Sequence, residues 1–192
     1  MSDKVSNLVE RIHALQDELE EEFGRRRSAF EYRLESGRVV FEKEVRQRHK
    51  ALQQRLSSYL AQARPLVVLT APVIYSVIVP LVLLDIFVTV YQAICFPVYR
   101  IEKVRRAEYI SLDRRHLAYL NGLEKLNCAY CGYGNGLLAY AREIAARTEQ
   151  YWCPIKHAKH MAGRHSHYPD FVEYGDAHGY QNRKQELRKS SD

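Results

Sequence analysis

The pattern of apolar and polar positions changes character three times along the chain. Near the start, Val5, Leu8, Ile12, Leu15 and Leu19 are spaced 3, 4, 3, 4. This is the a/d spacing with which a helix buries a narrow stripe against another helix. Phe23, Phe30 and Leu34 continue it loosely, which predicts a helix over residues 5–34. Glu21 with Arg25 and Glu22 with Arg26 are i,i+4 pairs in the favourable order. Ser36-Gly37 is a weak break, and a second helical stretch follows with Val45, Leu52, Leu56 and Leu60 on one side. The seam predicts either a coiled coil that joins copies of the chain or docks a protein partner, or an antiparallel hairpin closed about Ser36-Gly37.

From Pro65 to Tyr99 the polarity disappears: thirty-five positions carry one charge, Asp85. Leu66 to Leu84 is nineteen residues without a charge, which as a helix is about 28 Å, close to the hydrocarbon thickness of a bilayer. A single straight helix over the whole run would reach about 52 Å, too long for one crossing. Lys50, Arg55 and Arg64 precede the run, and Arg100, Lys103, Arg105 and Arg106 follow it. Short cytoplasmic flanks collect Lys and Arg, so both ends are expected in the cytoplasm and the run is expected to form a membrane helical hairpin. Pro80 to Asp85 is the expected bend. A single span over Leu66–Leu84, with Asp85 at the far interface, is the alternative. An intramembrane carboxylate invites a proton-relay or ion-site reading, but no second ionisable residue accompanies Asp85, and a place at a bend or headgroup boundary is the preferred reading. Tyr91, Phe96 and Tyr99 fit an interfacial aromatic belt, and Cys95 reads as a small packing residue.

After the run, Leu137, Leu138, Ala141, Ile144, Ala145 and Thr148 mark one face of a helix expected over Gly136–Trp152, with Asn135 as its N-cap. Asp176 is placed to cap a last helix running to Lys189.

Composition adds three constraints. The mean hydropathy of -0.41 averages an apolar middle with two polar ends. The N-terminus is charged from the start, so the apolar run is expected to act as an uncleaved membrane signal. The net charge of +6 is concentrated beside the apolar run, which argues for headgroup contacts and against nucleic acid.

The candidate chemistry lies in the cysteines and histidines. Cys128-x2-Cys131 is followed by Gly132, Gly134 and Gly136, which predicts two thiols on one tight turn. Cys153 and His157 supply a second pair, giving C-x2-C-x21-C-x3-H. Three thiolates and an imidazole suit a tetrahedral zinc site, with His160 as a competing fourth ligand and iron as the alternative metal. The arrangement requires the first turn to fold back along the intervening helix toward Cys153. His165, His167 and His178 read as part of a solvated tail, and Asp113, Arg114, Arg115 and His116 as a solvated charged patch. The hydrolase, kinase, P-loop and dinucleotide fingerprints do not occur, so the reading leans away from an enzyme.

Two resemblances follow from these residues. Cys128-Ala-Tyr-Cys131-Gly-Tyr133 and Trp152-Cys153-Pro154 resemble the two metal knuckles of rubredoxin. The resemblance departs where the fourth cysteine would stand, at Lys156, and in its helical linker. More broadly, residues 65–160 resemble a family of uncharacterised bacterial membrane proteins, which implies an inner-membrane setting with the polar regions cytoplasmic.

Together these features predict a mainly α protein. Its parts would be a long helical, coiled-coil-like arm (1–64), a membrane-embedded segment (65–99), a small helical C-terminal metal-binding domain (100–163) and a polar His-rich tail (164–192). The expected function is a membrane-anchored structural or assembly scaffold with a Cys3His zinc site. The alternatives are a rubredoxin-like iron electron carrier and a metal-free coiled-coil scaffold. The expected partners are the lipid bilayer, a further copy of the chain through the N-terminal helix, and a protein partner.

Overall fold

A computed structural model describes residues 3–28, 32–35 and 38–189. The chain is mainly helical and divides into two compact units, Met1–Ser76 with Leu112–Tyr133, and Val77–Ser111 with Gly134–Asp192.

In the first unit, helix α1 spans Asp3–Ser28. Arg25 and Arg26 pair with Glu21 and Glu22 at 3.8 and 3.5 Å on its exposed surface. The helix ends earlier than the seam predicts. Leu34 lies instead in strand β1 (Tyr32–Glu35), paired antiparallel with β2 (Arg38–Phe41) from Tyr32 opposite Phe41 to Glu35 opposite Arg38. Tyr32, Val39, Val40 and Phe41 are residue types that fit a pleated ladder better than a helix, and this local preference overrides the fading seam. Phe30 and Ser36-Gly37 lie outside the described residues. The second predicted helical stretch is split into α2 (Lys43–Ala51) and α3 (Leu56–Gln62), and of its apolar side only Val45 is buried.

Helix α4 (Pro65–Ser76) follows, then α5 (Ile78–Val98). Pro80 has no N–H to give to the Ser76 carbonyl, which explains the break at Val77. Val77 itself keeps helical dihedrals, φ -63 and ψ -15. The bend expected at Pro80–Asp85 does not form, because α5 runs unbroken through these residues. Pro80 falls in the first turn, where a missing N–H costs little. Pro65–Val98 counts as one helix of 34 residues, long and apolar enough to cross a membrane. Its hydroxyls bond to its own backbone, Thr70 Oγ1 to the Leu66 carbonyl at 2.9 Å and Ser76 Oγ to the Val73 carbonyl at 2.7 Å.

Helix α5 stops in a Schellman motif. The Ile101 N–H donates to the Phe96 carbonyl at 2.8 Å and the Arg100 N–H to the Pro97 carbonyl at 3.3 Å. Arg100 takes the left-handed position with φ 55, where glycine is usual. The chain returns through the short helix α6 (Arg106–Tyr109) and a 3-10 turn at Asp113–His116.

Helix α7 spans Gly122–Trp152 and is much longer than the predicted Gly136–Trp152. Its start is a reciprocal capping box. Asn121 Oδ1 accepts the Glu124 N–H at 3.0 Å and the Glu124 carboxylate accepts the Asn121 N–H at 2.8 Å. This N-x-x-E signal stands in the sequence fourteen residues before Asn135, the cap that was expected. The glycines remain helical, and one of them has a packing role: a Cβ on Gly136 would sit 2.5 Å from the Tyr109 carbonyl oxygen.

Beyond α7 the chain does not become a solvated tail. Pro154, Tyr168 and Phe171 are buried. Ile155 and Val172 form a parallel bridge, with the Lys156 N–H donating to the Val172 carbonyl and the Val172 N–H to the Pro154 carbonyl, both at 2.8 Å. Helix α8 (Ala177–Lys189) begins where expected, Asp176 Oδ1 accepting the Gly179 N–H at 2.8 Å.

Candidate functional site

Helix α5 is polar on its packed side and apolar on its open side. Asp85, Thr89, Gln92 and Phe96 are spaced 4, 3, 4 along it, which places them on one face. Gln92 Oε1 accepts the Val104 N–H at 2.9 Å and Gln92 Nε2 donates to the Val104 carbonyl at 3.2 Å. The same Nε2 donates to the Tyr140 hydroxyl. Thr89 Oγ1 lies 3.3 Å from that hydroxyl, and Tyr91 bonds Thr148 at 3.0 Å. Phe96, Leu137, Tyr140 and Ile144 form the core beneath. On the opposite face Val79, Leu83, Ile86, Phe87, Val90 and Ile94 are exposed, Phe87 to 71%.

Asp85 is the sole charge on this segment, and it is paired. The Arg106 guanidinium grips it with a fork, Nε to Oδ1 at 3.1 Å and NH2 to Oδ2 at 2.7 Å. Thr89 Oγ1 donates to Oδ1 at 3.4 Å. A carboxylate held this way, with 14% of its side chain exposed, is a structural ion pair rather than an open ion or proton site.

The predicted metal ligands are placed differently from the expectation. Cys128 and Cys131 stand inside α7, not on a tight turn. Cys153 follows directly after that helix and is exposed, as is Cys131. An unbroken helix separates the two halves of the motif, so the required fold-back does not form. The glycines that suggested a turn are accommodated by the helix because the cap at Asn121 and the packing of Gly134 and Gly136 favour it. The His157 N–H donates to the Tyr168 hydroxyl at 2.7 Å, its ring stacks on Tyr168, and His160 is exposed. Among the described residues no group of three or more His, Cys, Asp and Glu is placed to hold a metal ion.

No family model, curated protein or solved structure matches the chain.

Sequence reasoning missed a second polar cluster. His165 Nε2 lies 3.1 Å from Glu149 Oε2, and His167 Nε2 lies 3.1 Å from Glu143 Oε1. Arg147 Nε donates to the same Glu143 oxygen at 2.8 Å and its NH1 to the Glu102 carbonyl at 2.7 Å. Burial alone would raise the Glu143 carboxyl; the hydrogen bonds and charges of Arg147 and His167 outweigh it and hold the pKa below the ordinary carboxylate value. Burial, reinforced by the Glu143 charge, pushes the Tyr109 phenol up. These pairs fasten residues 165–171 onto α7. The signal available in the sequence was the pair of aromatics, Tyr168 and Phe171, that follows the histidines.

Proposed function

We propose that the protein is a membrane-anchored scaffold, with the exposed apolar face of α4 and α5 against lipid acyl chains and the α1 arm joining copies of the chain. The observation that carries this reading is the inverted polarity of α5: its polar residues turn inward to hydrogen-bond partners and its apolar residues turn outward. An amphipathic surface helix of a water-soluble protein has the opposite arrangement. Further support comes from Tyr99, Tyr151 and Trp152, which cluster with ring centroids 5.2 to 5.4 Å apart where α5 ends, as an interfacial belt does. The seam of α1 supports the second half of the proposal. Leu8, Ile12, Leu15 and Leu19 are all about half exposed or more, so the stripe is open to a matching stripe on another copy.

The test places a charge on the outward face. Phe87→Glu puts a carboxylate among acyl chains and is expected to cost about 2.5–3.5 kcal/mol of insertion. The wild-type protein should stay in membranes through alkaline carbonate and high salt, and the variant should be lost from them. If the protein lies in water, Phe87→Glu removes an exposed aromatic and yields a more soluble, folded chain; that result refutes the anchor. For the arm, Leu15→Glu should abolish self-association of detergent-solubilised protein measured by light scattering.

A further inference from the structure

The first unit holds a cavity of about 680 Å³ whose charged lining is entirely basic. Lys43, Arg46 and Lys50 contribute from α2, Arg115 from the 3-10 turn and Lys125 from the start of α7, with His116 beside them. The three α2 residues are spaced 3 and 4 apart, so one helix face carries all of them. Among the described residues none of the five Lys and Arg side chains has an ion-pair partner. The walls are fixed. Gln53 Nε2 donates to the Leu120 carbonyl at 2.6 Å, and His49 lies edge-on between Phe41 and Tyr119, with centroids 5.2 and 5.4 Å away. The buried Val45 anchors α2, and the Lys125 N–H donates to the Asn121 carbonyl at 3.0 Å.

Five like charges held around one cavity repel one another, and the potential inside is focused by its walls. A multiply charged anion relieves this repulsion and finds several N–H donors converging on it. The volume is in the range of small-molecule sites and exceeds what a single phosphate group fills. We propose that this cavity binds a ligand carrying two or more negative charges on phosphate groups, either a soluble organic phosphate or polyphosphate or the headgroup of an anionic phospholipid. The inference does not depend on the anchor: a free phosphate ligand needs no membrane.

The full chain, reconstituted in phosphatidylcholine nanodiscs, is titrated calorimetrically with pyrophosphate. In separate arms it is titrated with short-chain phosphatidic acid, whose phosphomonoester headgroup can carry two negative charges, and with short-chain phosphatidylcholine. Saturable binding of pyrophosphate or phosphatidic acid, but not phosphatidylcholine, is expected, weakening as salt is raised. The tighter of the two identifies the source. Arg46→Gln and Arg115→Gln should each weaken it about tenfold, and circular dichroism should be unchanged because both side chains are exposed. Lys103→Gln, outside the cavity, should leave binding intact. No saturable binding of either phosphate ligand overturns the proposal, and so does an equal loss in Lys103→Gln, which would reveal only diffuse attraction.

Discussion

Gly136→Ala tests the packing of α7 most directly. The added Cβ would lie 2.5 Å from the Tyr109 carbonyl oxygen, 3.0 Å from Ile110 Cα and 3.1 Å from Ile110 Cγ1. Two of these three neighbours are backbone atoms, so the Tyr109–Ile110 segment itself must move. Two effects compete. Replacing glycine by alanine inside a helix stabilises by about 1 kcal/mol through propensity. Forcing a methyl group into a filled site costs about 1–3 kcal/mol, and a contact this short with a carbonyl oxygen belongs at the upper end. The net expectation is a loss of about 1–2 kcal/mol, or about 2–8 °C in the unfolding midpoint for a chain of this size. Trp152 is the single tryptophan and lies at the end of the same helix, so its fluorescence reports the transition in detergent. Gly122→Ala is the control, because nothing stands within 4 Å of its Cβ, and it should be neutral or slightly stabilising. A Gly136→Ala protein as stable as the Gly122→Ala one would show that residues 109 and 110 do not pack against α7 at this point.

Three further outcomes are expected. Arg100→Gly should unfold above Arg100→Ala by about 2–4 °C, since glycine removes roughly 1 kcal/mol of left-handed strain; equal midpoints would mean that the Schellman turn is absent. Glu143 has a folded-state pKa below its unfolded value, so its contribution is fully present above the ordinary carboxylate pKa of 4.5 and is lost as pH falls through the folded value. Hydrogen-exchange protection in residues 165–171, taken relative to the intrinsic rate at each pH, should therefore fall on acidification, and the gap in protection between wild type and Glu143→Gln should close at low pH; a gap that widens would reverse the assigned sign. Protein purified under reducing conditions should contain well under one zinc or iron per chain by elemental analysis, and Cys131→Ser should leave protease resistance after residue 152 unchanged. A stoichiometric metal lost on that substitution would show that α7 opens around Cys128.

The helices were legible wherever a period or a cap was strong. The seam located most of α1, the apolar run from Pro65 to Tyr99 located α4 and α5, and Asp176 located the start of α8. The departures of local structure from expectation have local causes. The hairpin is expected from flanking charge and from Pro80, but Pro80 lies in a first turn where a helix tolerates it. The tight turn at Cys128–Cys131 is expected from the glycines beside it, but the Asn121–Glu124 capping box starts a helix upstream that carries both cysteines. The His-rich segment was taken for a tail because histidine is polar, yet Tyr168 and Phe171 supply its core. The basic cavity combines residues from α2, a 3-10 turn and α7, and no contiguous stretch of sequence announces it.

If α5 crosses a bilayer as proposed, the ion pair between Asp85 and Arg106 sets conditions on biogenesis. A lone α5 entering a bilayer would bring an unneutralised carboxylate with it, at about 2.5–3.5 kcal/mol near the centre, together with the uncompensated amide of Gln92. The Arg106 fork on Asp85 and the Val104 and Tyr140 bonds of Gln92 come from residues synthesised later. A nascent chain that stops at residue 99 would therefore be held less firmly than the finished one, and commitment to the membrane should be timed by the emergence of α7 rather than by the apolar helix alone.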